Sequence, residues 1–227
     1  MNMKQCNGEF ACHLCNLEGA AYGQHNIHRC WPFKQNHEKR THEDQINFAM
    51  KATQKQAVVG VKGHSIFAKL YPFDLVCSFA IDWMHCVYLE VVKYITTLQL
   101  SEGNKDKDFY IGSSKACLSH RLLSIKLPVI VGRLPRMLDH LKHWKATEFK
   151  SWLLHYSVVV LFPVINPLYL FHQTLLVGGI GILCSDSIVN DNLISANNML
   201  QDLVFLMGIL YPLTKCSILP TMSQEED

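Results

Sequence analysis

Asp82 and His85 are the first pair of side chains whose types and spacing could do chemistry together. Asp82 follows an apolar, strand-like run over residues 73–81 and begins a stretch with helical periodicity. Because residues three apart share one face of a helix, the carboxylate and the imidazole can act as a unit. An acid at a strand-to-helix junction is where a metal-dependent nuclease would hold a divalent cation. The same carboxylate is also suited to cap the helix, and for this chain alone capping is favoured.

A second group with chemical potential lies near the start of the chain. Cys12-x-x-Cys15 has the spacing that places two thiolates on one metal, and His25-x-x-His28 follows. Tetrahedral zinc needs four such ligands, so Cys12, Cys15, His25 and His28 form a candidate zinc site. The alternative is that the two histidines are ordinary loop residues and the site is half formed. Nine cysteines without regular spacing indicate reduced thiols, and therefore the cytoplasm or nucleus.

The elements that must position these residues are predicted to be mainly helical. Apolar residues recur at helical spacing over Asp82–Leu100, and prolines separate the later segments. Further helices are predicted over Ser114–Ile125, Arg136–Trp144, Pro167–Cys184 and Asp191–Leu210. Between the second and third of these, another helix is predicted to be capped by Thr147 and to end before Pro163. A minority of strand is predicted near residues 58–81. We expect residues 1–60 to be a Cys/His-rich loop segment and residues 211–227 an unstructured tail.

Charge is distributed unevenly along a chain whose net charge is only +2. From Lys115 to Lys150 there are eight lysines and arginines against two acids. Such a stretch could follow the phosphates of DNA, or it could be a solvated helical face, and the sequence leaves both open.

The segment 151–185 contains no Asp, Glu, Lys or Arg in 35 residues. About 20 apolar residues suffice to cross a bilayer, so a small membrane protein built on residues 151–185 is one interpretation. Polar residues such as His155, His172 and Gln173 interrupt both halves of the segment. Buried helices of a soluble protein are therefore favoured over membrane insertion.

Several blocks of the chain, taken in order, resemble the DDE transposases of the CACTA/Chapaev (En/Spm) type. The most specific runs from Asp82 through Met84, His85 and Cys86 to Lys93. The others are Lys4–Cys15, in which Cys6 and Ala11 depart from the family pattern, Arg40–Glu43, Val61–Gly63, Lys107–Gly112, Arg121–Lys126, Trp144–Glu148 and Leu183–Ile188. The similarity covers roughly residues 4–210.

The resemblance implies a fold that is mainly α with a minor α/β part. A partial RNase H-like core, with its strand-to-helix junction, would occupy residues 61–112, and an α-helical insertion lobe residues 113–210. Asp82 would be the second acid of a triad that holds Mg²⁺ for DNA strand cleavage and transfer at transposon ends. His85 would orient it.

The resemblance also places the family's other two acids outside residues 4–210, so we expect a chain truncated at both ends and catalytically inactive. The alternative is a non-catalytic remnant that binds nucleic acid or protein. Homo-oligomerisation stays open.

Overall fold

The computed structural model describes residues 2–5, 8–22, 28–31, 33–34, 37–126 and 133–211, with Tyr22 and His28 described by their backbone alone. The chain divides into two compact units, one drawn from residues 1–80 and the other from Ile81–Tyr211. The predicted class, mainly α with a minor β part, is confirmed. The finer prediction of a partial RNase H-like core is not shown.

The described part of the first unit contains a small hairpin, one α-helix and a short 3₁₀ segment, Ile66–Lys69. Strand β1, Ala20–Tyr22, pairs antiparallel with β2, His28–Cys30, with Ala20 opposite Cys30. Helix α1, His42–Lys51, begins in a reciprocal cap: Thr41 Oγ1 accepts the Asp44 N–H at 3.1 Å, and Asp44 Oδ2 accepts the Thr41 N–H at 3.0 Å. This helix lies in the segment that was predicted to be loop, and that prediction is wrong.

A tight turn at Val59 and Gly60 joins the paired residues Val58 and Val61. Both turn residues have positive φ, 44° and 78°, which suits a two-residue hairpin turn. A Cβ on Gly60 would lie 2.0 Å from the Phe10 carbonyl oxygen, so both the conformation and the space require glycine. The turn therefore fixes where the Val59 carbonyl points.

Residues 73–81 do not form the predicted strand. Asp74 Oδ1 accepts the backbone N–H groups of Val76 and Cys77 at 2.7 and 2.6 Å, which folds the chain into a turn. Such local bonds compete with a sheet ladder. Phe73 and Phe79 instead pack with Phe67 in a half-buried cluster, with ring centroids 5.2–5.5 Å apart.

The described part of the second unit consists of helices joined by turns and irregular segments, and it contains no strand. A π-helical segment, Met84–Val92, continues directly into α2, Lys93–Leu100, so the helix predicted after Asp82 is confirmed. Helix α3 is Lys115–Ser124, and a 3₁₀ segment covers Leu138–His143. Helix α4, Ala146–Ser151, a π-helical segment, Trp152–Tyr156, and α5, Ser157–Leu161, are continuous. Thr147 lies inside α4, so its predicted capping role is wrong.

Two long helices complete the unit. Helix α6, Pro167–Leu183, starts with a cap in which Asn166 Oδ1 accepts the Leu168 N–H, and it packs against α7, Asn190–Leu210. A Cβ on Gly179 would lie 2.9 Å from the Leu200 side chain, so glycine permits this close approach. The core of the unit is built on Tyr88, Leu118, Phe149, Trp152 and Tyr156, each no more than 2% exposed.

Candidate functional site

The Asp82 carboxylate caps the helix that follows it. Its Oδ1 accepts the N–H groups of Met84 and His85 at 3.0 and 3.2 Å, and its Oδ2 accepts a hydrogen bond from His85 Nδ1 at 2.5 Å. These bonds, the imidazole first, hold the pKa of Asp82 below its ordinary value. Both side chains remain exposed, 59% for Asp82 and 70% for His85. The predicted pairing of the two residues is therefore present in the geometry.

An aromatic and a basic residue lie beside this pair. Trp83 is 44% exposed, its ring meets that of buried Tyr88 at 5.4 Å, and the Lys150 ammonium lies 5.4 Å from its ring centroid. Within the described part of the chain, no three His, Cys, Asp or Glu side chains are grouped so that they could hold a metal ion. Asp82 thus supplies one carboxylate, whereas a two-metal centre needs several.

Cys12 and Cys15 form a thiol pair in the first unit. Cys12 Sγ accepts the Leu14 N–H at 3.4 Å, and the Cys15 thiol has the Cys12 side chain and the Leu17 N–H as hydrogen-bonding partners. Cys15 is 7% exposed, and this burial raises the pKa of its thiol. The loop therefore points both sulfurs to one place and gives each a backbone donor, an arrangement suited to metal-bound thiolates.

Arg40, which sequence reasoning did not single out as a site residue, holds this loop together. Its Nε donates to the carbonyls of Cys12 and Cys15 at 3.0 and 3.1 Å, its Nη2 to Val59 O at 2.8 Å, and its backbone N–H to Leu14 O at 2.9 Å. The side chain is 4% exposed, and this burial lowers its pKa. Its Nη1 is buried without a partner among the described groups.

The other two predicted zinc ligands do not enter this geometry. His25 lies outside the described residues, and His28 is described only as a backbone position in β2. Cys30, also in β2, is disulfide-bonded, so its sulfur is not available as a thiolate and the expectation of reduced thiols is wrong there. Cys12 and Cys15 are free. The described residues thus fit half of a tetrahedral zinc site.

The basic stretch is partly neutralised by its own acids. Lys115 Nζ lies 3.0 Å from Asp139 Oδ1, and Arg136 Nε donates to buried Glu148 at 2.7 Å. The cations of this stretch that stay exposed are Lys126, Arg133, Arg136, Lys142 and Lys145.

The charge-free segment folds as packed helix. In α6, the polar side chains His172 and Gln173 are 0% and 3% exposed, whereas the apolar side chains Leu168 and Phe171 are 51% and 53% exposed. By length and composition alone, Asn190–Leu210 is the one helix in the described ranges able to cross a membrane, a test that core helices of soluble proteins also pass.

Comparison of the chain with protein-family models, with curated proteins and with solved structures gives no match.

Proposed function

We propose that this chain is a transposase-derived polypeptide, related to DNA strand-cleaving and strand-joining DDE transposases of the CACTA/Chapaev type, and that it does not itself cut DNA. The ordered motif blocks support the relationship. The observation that supports the lack of DNA cleavage concerns the Asp82 carboxylate. Its hydrogen-bond partners all belong to the start of the helix that it caps. In the described ranges no second acid joins it to form a metal-binding group.

Two-metal phosphoryl transfer needs carboxylates that converge, so that two ions lie about 3.5–4 Å apart on the attacking and leaving oxygens. A lone exposed carboxylate whose lone pairs already accept two amides and an imidazole is a poor ligand for Mg²⁺, since the ion would have to displace those donors. Asp82 therefore acts as a helix cap, with His85 as the group that orients it.

A nicking and strand-joining assay tests this. The 227-residue protein, supplied with Mg²⁺ or Mn²⁺ and supercoiled or linear DNA, is expected to give no cleavage or joining above buffer. Asp82→Ala serves as the matched variant, because a trace of contaminating nuclease would persist in it. Metal-dependent cleavage by the wild type that disappears in Asp82→Ala would show that other acids complete the site and would overturn the proposal.

A second candidate function, non-catalytic binding of nucleic acid, is favoured by the exposed cations of the helical unit. Arg133 and Lys142 are exposed, and no hydrogen bond or ion pair of their side chains is seen among the described groups. DNA binding through them is expected to weaken with salt, with a slope of about 0.9 in log–log form for each phosphate contacted. Alanine at Arg133 and Lys142 should lower that slope. Alanine at Lys105 and Lys107, exposed elsewhere in the unit, should leave it unchanged.

Zinc at Cys12 and Cys15 belongs to the same proposal. The paired sulfurs and their amide donors would hold the ion, and His25 and His28 would be its remaining ligands. Titration of the reduced protein with Co²⁺ is expected to give thiolate-to-metal absorption that is lost in Cys12→Ser and in Cys15→Ser. Absorption that survives both substitutions would place the metal elsewhere.

A further inference from the structure

We propose that the corner between α5 and α6, residues 162–166, docks the folded helical unit on the surface of an anionic lipid bilayer. Four apolar side chains flank this corner and remain exposed: Val159 56%, Phe162 70%, Leu168 51% and Phe171 53%. The two members of each helix, Val159 with Phe162 and Leu168 with Phe171, are three residues apart and so share one face. The inference goes beyond the proposed function, because it requires neither DNA nor a bound metal.

The polarity of this helix pair is the reverse of that expected at a surface that faces only water. Ser157 of α5 and His172 and Gln173 of α6 are no more than 3% exposed, and Gln173 Nε2 donates to Ser157 Oγ at 3.2 Å. Polar side chains thus bond inside the unit, while large apolar ones face outward. An exposed apolar patch of this kind marks a surface that binds a protein or a membrane. Charge and backbone bonding favour the membrane.

Charge is absent from the corner and positive beside it. No Asp, Glu, Lys or Arg occurs in residues 151–185. Arg121 Nη2 donates to Val159 O at 2.9 Å, which brings the basic end of α3 against α5, and Lys126 follows α3 and is exposed. Helix α3 itself contains no acid. An apolar patch with cations at its edge matches the hydrocarbon and the anionic headgroups of one bilayer leaflet.

The backbone around the corner is largely satisfied within the chain. Its N–H groups donate one turn back at 2.9–3.0 Å, from Phe162, Val164 and Ile165, or to Asn166 at 3.0–3.1 Å, from Leu168, Tyr169 and Leu170. Pro163 and Pro167 have no N–H. Lipid offers no hydrogen-bonding partner, so a segment enters it at low cost only if its backbone is bonded internally. A protein partner makes no such demand, because it brings donors and acceptors of its own.

Insertion at this corner is shallow. Leu161 and Ile165 are 1% and 4% exposed, so the corner is held in the core of the unit and presents its apolar side chains without unfolding. Asp202 of α7 is exposed and precedes Leu203, whose carbonyl bonds His172 of α6. A carboxylate at that level of α6 opposes deeper entry into hydrocarbon. Contact is therefore confined to the corner, and no helix is required to span the bilayer.

Flotation with vesicles tests the proposal. The 227-residue protein is mixed with vesicles of phosphatidylcholine, with and without phosphatidylserine, and centrifuged through a sucrose gradient. The wild type is expected to float with the anionic vesicles. Phe162→Ser should lower the partition coefficient about tenfold, because it removes one phenylalanine side chain from lipid. Phe171→Ser should act in the same direction, so the result does not depend on one substitution.

Two variants serve as controls. Phe162→Leu stays apolar and should lower the partition coefficient by about threefold or less. Ile66→Ser removes a side chain that is 76% exposed in the first unit and should leave the coefficient unchanged. Circular dichroism and thermal unfolding establish that each variant is folded.

Depth and charge have separate readouts. In Phe162→Trp, the fluorescence added relative to the wild type should be quenched more by lipids brominated near the headgroup than by lipids brominated at the chain end. Lys126→Gln should lower partition into anionic vesicles about fivefold and leave partition into neutral vesicles unchanged. Equal partition of the wild type into both kinds of vesicle would remove the anionic headgroups from the proposal.

A wild-type protein that floats with neither kind of vesicle would overturn the proposal as a whole, as would flotation that Phe162→Ser and Phe171→Ser both leave unchanged. Sedimentation velocity without lipid identifies the rival occupant. A wild-type dimer that dissociates in Phe162→Ser would show that a second copy of this chain covers the corner, and would also overturn it. None of these results bears on the nuclease assay or on DNA binding.

Discussion

The phenol of Tyr211 is the polar partner of a buried amide, and Tyr211→Phe should destabilise the helical unit. Gln99 Nε2 donates to Tyr211 Oη at 2.8 Å, and the two residues are 1% and 2% exposed. The ring itself packs among Phe109, Tyr169 and His172, with centroids 5.0–5.3 Å away. Since phenylalanine keeps the ring, the substitution removes only the hydroxyl oxygen. The buried Gln99 amide then loses the acceptor of its hydrogen bond.

The expected cost follows from that stranded donor. Leaving a buried polar group unsatisfied costs about 1–3 kcal/mol. The unit Ile81–Tyr211, at about 2.1 cal/mol/K per residue, unfolds with an entropy near 0.28 kcal/mol/K, so each kcal/mol lowers Tm by about 4 °C. We therefore expect Tyr211→Phe to lower Tm by about 4–11 °C. The free energy of unfolding measured in urea should fall by the same cost, about 1–3 kcal/mol.

Urea unfolding followed by tryptophan fluorescence is the assay, since Trp144 and Trp152 lie in the core of this unit. The matched control is Gln99→Met, alone and combined with Tyr211→Phe. If the hydrogen bond is the cause, the double variant loses much less than the sum of the two single losses. A loss below about 0.3 kcal/mol for Tyr211→Phe, or strictly additive losses, would refute the reasoning. A buried amide that loses its only acceptor should give a larger loss, and one that depends on the second residue.

Two further predictions concern buried titratable groups in the same unit. Burial lowers the pKa of His172, whose Nε2 donates to Leu203 O, so the folded protein favours the neutral imidazole. The contribution of this residue to the free energy of unfolding should be complete above about pH 6.5 and should be lost as the pH falls below that value. In His172→Gln this pH dependence should disappear. Burial alone would raise the pKa of Glu148, but hydrogen bonds from Arg136 and the Lys145 N–H hold it below its ordinary value. Stability is therefore present above about pH 4.3 and lost below it, and Glu148→Gln should lower Tm at pH 7 while reducing this acid sensitivity in a thermal-melt series.

The helical unit could be predicted from the sequence because its signals are local and repeated. Apolar residues at helical spacing identified the helices that end at Leu100 and Leu210, and Pro167 marked the first turn of α6. The burial of His172 was also foreseeable, since a charge-free segment with scattered polar residues is typical of a packed helix. The π-helical segments and the start of α4 at Ala146 were not foreseen, because they depend on packing rather than periodicity.

The first unit was predicted less well because single side chains determine its course. The apolar content of residues 73–81 favours a strand, yet Asp74 accepts two backbone amides and makes a turn. Helix α1 was missed although Thr41 and Asp44 form a capping box that can be read from the sequence. In each case a short polar side chain that bonds to its own backbone outweighs the hydrophobic pattern.

Arg40 shows why the candidate site was only half visible. A Cys-x-x-Cys motif predicts two neighbouring sulfurs from spacing alone, and the Cys12 side chain is a hydrogen-bonding partner of the Cys15 thiol. What fixes that contact is a cation 25 residues beyond Cys15 in sequence, which bonds to carbonyl oxygens that every residue possesses. No residue type at the loop announces such a partner. The sequence carries no signal for it, because the burial of Arg40 and the carbonyls to which it donates depend on the folded chain.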